Sequence, residues 1–155
     1  MQKITPFLWF DKEAGEAAKF YVSVFKDAKI VSTKVLTDTP SGTVEIIDIE
    51  LFGQRLTLMS AGPYFKFTEA ISFVVDCADQ AEIDYYWEKL SAVPESEQCG
   101  WLKDKYGLSW QIVPKDMDAL FYGPDKEKSA RATQAMLKMK KLDIAALQAA
   151  YDGRS

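Results

Sequence analysis

The sequence predicts an α+β fold in which one unit, a strand, a helix and further strands, is used twice and then followed by a helical tail. Three observations carry this. Apolar residues switch repeatedly between the alternation of strands and the about 3.6-residue spacing of helices. The two halves match at an offset of 65, with Asp11 on Asp76, Ala18 on Ile83, Phe20-Tyr21 on Tyr85-Tyr86 and Phe25 on Leu90. Such internal repeats decide a fold when they are real. Beyond Pro114 the alternation stops, and Asp116, Asp125 and Asp143 stand where helix N-caps belong.

Taken in order, Ile4 to Phe10 is short, apolar and aromatic, as a strand is. Asp11 is placed to cap a helix in which Ala14, Ala17, Ala18, Tyr21, Val24 and Phe25 recur on one face. Lys29 to Thr37 reads as a strand and Asp38 to Gly42 as a turn. Thr43 to Phe52 and Gln54 to Ser60 then form a hairpin around Gly53. The pattern restarts with a strand over Ala70 to Val75. A helix follows, opened by Asp79 and Glu82 and burying Ile83, Tyr86 or Trp87, and Leu90. Glu97 to Lys103 and Leu108 to Val113 make a last hairpin around Asp104-Lys105-Tyr106-Gly107.

With Phe52-Gly53 at the hairpin tip, Leu51 pairs with Gln54, Glu50 with Arg55, Ile49 with Leu56, Asp48 with Thr57 and Ile46 with Met59. Ile49, Leu51, Leu56 and Leu58 then face the helices. The opposite face is polar, with Asp48, Glu50, Arg55, Thr57 and Met59. Two readings of it stay open. It is a solvated surface with a Glu50–Arg55 pair worth about 0.5 kcal/mol, or it lines a ligand cavity. In the last hairpin Leu108, Trp110 and Ile112 alternate with Ser109, Gln111 and Val113, and Trp101 is expected to pair with Trp110 on the helix-packed face. Cys99, before Gly100 on the expected strand, has no base beside it and reads as an inert thiol.

Composition narrows the chemistry. The 155 residues contain no histidine, which removes Ser-His-Asp and Cys-His activation and the commonest zinc ligand. Two cysteines, Cys77 and Cys99, are too few for a disulfide framework, and a reducing cytoplasm is the expected location. The N-terminus shows no apolar leader, and no apolar run approaches the roughly 18 residues of a membrane span. Net charge is −4, which makes nucleic acid an unlikely partner. The tail is locally basic, and Lys138-Met139-Lys140-Lys141 reads as a solvated helix face in preference to a site for an acidic partner. None of the eight glycines occurs as G-x-G, so no glycine-rich loop for a nucleotide-like cofactor is visible.

Several motifs resemble the PhnB-like branch of the vicinal oxygen chelate superfamily, which also holds glyoxalases, extradiol dioxygenases and bleomycin-resistance proteins. They are Ile4-Thr5-Pro6-Phe7-Leu8-Trp9-Phe10-Asp11, Gly62-Pro63-Tyr64-Phe65-Lys66-Phe67-Thr68 and Ala70-Ile71-Ser72-Phe73-Val74-Val75. Most specific are Gln98-Cys99-Gly100-Trp101-Leu102-Lys103-Asp104, Gly107-Leu108-Ser109-Trp110-Gln111-Ile112-Val113-Pro114 and, in the tail, Met136 to Asp143. The resemblance implies two βαβββ modules whose curved mixed sheets form a cleft, with helices outside, over residues 1–114. It leaves residues 115–155 as a C-terminal helical extension on the same domain. It also implies a metal site, whose ligand positions in this chain are Gln111, the last residue of an Asp-x-x-Gly-x-x-x-Glu-like pattern begun by Asp104 and Gly107, and Ala70, Met59 and the region of Thr5-Pro6. Gln111 alone can ligate among these, and weakly, so no metal and no other cofactor is expected.

The expected function is metal-free binding of a small molecule of unknown identity. Asp48, Glu50, Thr57, Met59, Ser72 and Gln111 would line the cleft. Phe65 and Phe67 would form its rim, or else pack beneath their loop. The alternative is a metal-independent enzyme, of lyase or isomerase type, with Asp48 as the candidate base. The methyltransferase label that some members of this branch carry has no support in the residues. A homodimer is expected because such modules leave sheet edges to cover, and tail residues Met136, Leu137, Met139, Ile144 and Leu147 could pack across its interface.

Overall fold

The computed structural model describes residues 1–154, in two compact units that meet in sequence between Phe67 and Thr68. The first contains β1 (Phe7–Phe10), α1 (Ala14–Val24), β2 (Ala28–Thr39), β3 (Gly42–Leu51) and β4 (Gln54–Ser60). These strands form one sheet in the order β1-β4-β3-β2, with β1 parallel to β4 and the other pairs antiparallel. β1 starts at Phe7 and not at Ile4. Pro6 stands just ahead of it, where its carbonyl accepts from Thr57 N but its ring nitrogen has no hydrogen to give the ladder.

Helix α1 buries the stripe read from its sequence, Ala14, Ala17, Ala18, Tyr21 and Val24. Small residues let it approach the sheet closely: a Cβ on Gly15 would lie 2.8 Å from the Glu45 carboxylate and 3.8 Å from Ile47 Cδ1. Asp11 does not cap this helix. The N-cap is Glu13, whose side chain makes no capping bond, and the Ala14 N–H donates to Ser60 Oγ at 2.9 Å. A hydroxyl from β4 thus meets an orphan donor that the chain does not satisfy locally. The β3–β4 register is as read, Leu51 opposite Gln54 through Ile46 opposite Met59. Phe52 and Gly53, at φ 51° and 78°, are the two left-handed residues of a type I′-like turn, whose twist suits a two-residue hairpin.

The second unit contains β5 (Ser72–Cys77), α2 (Gln80–Leu90), a 3₁₀ turn at Pro94–Ser96, β6 (Trp101–Lys103), β7 (Ser109–Pro114), α3 (Met117–Phe121), α4 (Lys126–Leu137) and α5 (Ile144–Asp152). Its sheet runs β5-β7-β6, again with a parallel pair, β5 with β7, and an antiparallel one. The overall class is the expected mixed α+β repeat, but this copy is one strand short of βαβββ. The offset shows where: it is 65 from Phe7 of β1 to Ser72 of β5, and 55 from Gln54 of β4 to Ser109 of β7. The residues lost are those of a counterpart to β2. In its place the turn at Pro94 follows the edge of β6, with Ala92 N donating to Lys103 O and Gln98 and Trp101 exchanging backbone bonds.

Two readings change here. Trp101 does not pair with Trp110: Leu102 does, and Trp101 stands opposite Gln111 on the face away from Trp110. The register is set by the loop between Lys103 and Ser109, and a slip of one residue moves a side chain to the other face. Cys99 is in a turn at φ 40° and not on a strand.

Asp79 caps α2 by accepting from Glu82 N at 2.9 Å, and Ile83, Tyr86 and Leu90 are buried while Trp87 is half-buried. In the tail Asp125 and Asp143 cap their helices, and Asp116 makes no side-chain cap. Val113, Leu120, Ala132, Leu142 and Leu147 form a buried cluster joined by Met117, Met136 and Met139. Of the tail residues expected at a dimer interface, Leu147 is fully buried in this cluster, Met136 and Met139 pack against it while partly buried, and Leu137 is exposed. Among the described residues no helix is long and apolar enough to cross a membrane.

Candidate functional site

The face of the first sheet opposite α1 gathers five of the seven residues singled out in the sequence. Strand pairing arranges it in rows. One row runs Phe7, Thr57, Asp48, Ser32, the next Trp9, Met59, Ile46, Lys34, and a third holds Arg55, Glu50 and Lys29. Asp48 is the centre of the first. Its carboxylate accepts from Thr57 Oγ1 at 2.6 Å and Ser32 Oγ at 2.9 Å, and lies 3.1 Å from Lys34 Nζ. Asp48 and Thr57 are buried, whereas Lys34 reaches in from a largely exposed position. The Thr57 hydroxyl beside it, helped by Lys34 and Ser32, holds the Asp48 carboxyl below the usual aspartate range against the opposing effect of burial. A carboxylate held that way is a poor proton acceptor near neutral pH, which weighs against Asp48 as a general base.

Glu50 lies beside Arg55 at 3.8 Å, a loose pair on the more open end of this face. Met59 is half-buried between Trp9 and Ile46. Phe65 and Phe67 part company. Phe65 is exposed and stands edge-on to Trp9, with ring centres 4.9 Å apart, while Phe67 is half-buried against Phe10 of the core at 5.2 Å. Phe65 therefore extends the Asp48 face and Phe67 belongs to the packing beneath. Trp9 is the residue that the sequence reading left out. Its Nε1 donates to Gly62 O at 2.8 Å, which fixes the ring and anchors the loop that carries Phe65. The available signal was the alternation of Phe7 and Trp9 with buried Leu8 and Phe10.

The remaining two residues meet in the second unit, where Gln111 Nε2 donates to Ser72 Oγ at 2.9 Å. Val74 and Trp101 stand in register with Gln111 on the same face. Asp104, from the metal-ligand pattern, is fully buried and occupied. It accepts from Tyr106 N, Leu108 N and Trp110 Nε1 at 2.9 to 3.1 Å, and so holds the hairpin loop.

The residues at the superfamily's metal positions do not fit a divalent cation. Thr5-Pro6, Met59 and Ala70 bring no imidazole or carboxylate, and the Gln111 amide contributes one neutral oxygen. Among the described residues no group of three or more His, Cys, Asp or Glu side chains gathers to hold an ion.

Comparison with known proteins agrees with this architecture. No curated protein matches the chain. Among solved structures, the PhnB protein from Bacillus cereus is 34% identical over 72% of this chain and 99% of its own, with a TM-score of 0.60. Two others share the fold at 14% identity. Protein PA1353 from Pseudomonas aeruginosa has a TM-score of 0.56 over 74% of this chain and 98% of its own. The fosfomycin resistance protein FosX from Listeria monocytogenes has a TM-score of 0.51 over 73% and 90%. Residues 2–113 match the family described as 3-demethylubiquinone-9 3-methyltransferase, which leaves the helical tail outside the match. By that match and by its likeness to the PhnB protein, the chain belongs to this PhnB-like family of the vicinal oxygen chelate superfamily.

Proposed function

We propose that this protein binds a small organic molecule without a metal, on the face of the first sheet that carries Asp48. The observation behind this reading is the combination of a buried, ionised carboxylate with aromatic and thioether surface. Asp48 and Thr57 supply a fixed acceptor, and Met59, Trp9 and exposed Phe65 supply apolar contact in the adjoining row. Such mixtures, mostly apolar with a few placed polar groups, are what small ligands occupy. Lys34 is the exposed member of the cluster, and a ligand donor would take its place on Asp48. Glu50 borders the site, and Ser72 and Gln111 are a second polar pair for ligand contact in the other unit. Methyl transfer finds no carrying observation among these residues. FosX is a fosfomycin resistance protein, and at its level of identity it lends this chain a fold only.

The test is a ligand-observed NMR screen of a neutral and cationic fragment library against wild-type protein and Phe65→Ala. Phe65 is exposed, so its truncation leaves the fold intact. Fragments that lose binding in the variant support the site. A hit set unchanged by Phe65→Ala and by Asp48→Asn refutes it.

The protein is further proposed to act as a homodimer in a reducing cytoplasm. β2 is an edge strand that exposes Ile30, Val31, Val35 and Leu36, the kind of apolar edge that soluble proteins cover. Both cysteines are free thiols. Light scattering at micromolar concentration should return twice the 17.5 kDa chain mass, and the mass of a single chain would overturn the dimer.

A further inference from the structure

We propose that the second unit carries a small-molecule pocket of its own, at the edge of β6, which takes a flat, uncharged ring stacked on Trp101. The pocket exists because this copy of the repeat lacks its fourth strand. Where that strand would run, the chain turns through Pro94–Ser96 and leaves 290 Å³ beside Trp101, Leu102, Cys99, Gln98, Ser109 and Glu69. That volume suits a one- or two-ring molecule at the lower end of ligand pockets.

The lining selects the ligand class. Its exposed surface is mostly apolar, and Trp101 offers the one aromatic ring in it. Glu69, the single charged side chain, is paired with Lys103, so the pocket presents no unmatched charge. Gln98 is partly occupied, because its Nε2 donates to Leu137 O at 2.9 Å. A neutral ring with one polar atom fits this set better than an ion does.

The wall is built and held. Cys99 keeps a left-handed φ of 40°, a conformation that a non-glycine residue retains only when its surroundings impose it. The tail does so: Cys99 N donates to Met139 O at 2.7 Å and Gly100 N to Lys140 O at 2.8 Å. Leu142 closes on Gly100 from behind, where a Cβ would meet Leu142 Cδ1 at 3.1 Å. The segment that shapes this wall lies beyond residue 113, outside the family match. Trp101 shares its face with Gln111, so the pocket adjoins the second polar pair named above, but none of its lining residues belongs to the Asp48 face, and the Asp48→Asn variant tells the two sites apart.

Cys99 is a built-in reporter. Cys77 is fully buried and its thiol is pushed up to about 12 by burial, so alkylation of native protein at neutral pH reads Cys99. The probe is indole, and the measurement is the rate of iodoacetamide labelling of Cys99, assigned by peptide mass. With indole at four times its dissociation constant, labelling should slow about fivefold and saturably. Trp101→Ala should abolish the protection, Trp101→Phe should keep most of it, and Asp48→Asn should leave it unchanged. Ser96→Phe, which fills the pocket from its half-buried turn position, should also abolish protection and serves if Trp101→Ala fails to fold. A labelling rate indifferent to indole, or equal protection in Trp101→Ala or Ser96→Phe, overturns the proposal.

Discussion

Replacing Asp48 tests the central feature of the first sheet's open face. The carboxylate accepts two hydroxyl bonds, at 2.6 Å from Thr57 and 2.9 Å from Ser32, and one ion pair at 3.1 Å from Lys34. Hydrogen bonds to a charged group are worth about 1.5–3 kcal/mol each. The Lys34 partner is largely exposed and adds at most about 1 kcal/mol. Part of this is recovered when the hydroxyls turn to other acceptors, so Asp48→Ala should cost about 3 kcal/mol. Asp48→Asn should cost about 2 kcal/mol, because an amide oxygen serves one hydroxyl while its NH₂ faces the other. The pH dependence follows from the direction of the shift. The folded-state pKa of Asp48 lies below its unfolded value, so its stabilisation is complete above the ordinary aspartate range. It is lost as pH falls through that range, near about 3.9, toward the folded value. The difference between wild type and Asp48→Asn, measured by urea titration, should therefore be full at neutral pH and shrink in acid. A cost for Asp48→Asn under about 0.5 kcal/mol at neutral pH, or one that does not change on acidification, would refute the assigned network.

Other consequences concern the second unit and the metal positions. Asp104→Ala strands the Tyr106 and Leu108 N–H groups and the Trp110 indole around a fully buried position. It should cost about 3–4 kcal/mol by urea titration, and near-neutral behaviour would show that the loop does not depend on it. Gly100→Ala combines a φ of 88° with a Cβ contact at 3.1 Å to Leu142, whereas Gly42→Ala has a φ of 78° and open space around it. The first should cost about 1–3 kcal/mol and more than the second, and equal costs would mean that Leu142 yields freely. Elemental analysis after dialysis should find no stoichiometric zinc, manganese, nickel or iron. An ion that survives dialysis at one per chain would mean that ligands other than the family positions assemble.

Much of the first unit was legible because its determinants are local. The alternation in β3 and β4, with a two-residue Phe52-Gly53 connection, leaves one register that keeps Ile49, Leu56 and Leu58 on the same side, and that register forms. The alanine-rich stripe of α1 and the caps Asp79, Asp125 and Asp143 are likewise properties of short segments. The family motifs made the repeat recognisable and showed that Ala70, Met59 and Gln111 make an unsuitable donor set, a matter of side-chain chemistry alone.

What escaped the sequence depends on distant partners. The start of α1 is decided by Ser60, 46 residues away, and the state of Asp48 is set first by Thr57 across the hairpin and then by Lys34 and Ser32, which β2 brings alongside. Trp101 changes face because Asp104 binds the loop that sets the β6–β7 register. The missing strand, and with it the pocket beside Trp101, arises because the short segment before β6 turns at Pro94 while the tail holds Cys99 and Gly100. Period and propensity are averages over neighbours in the chain. Which polar group is satisfied, and by whom, is settled only when segments far apart in sequence are packed together.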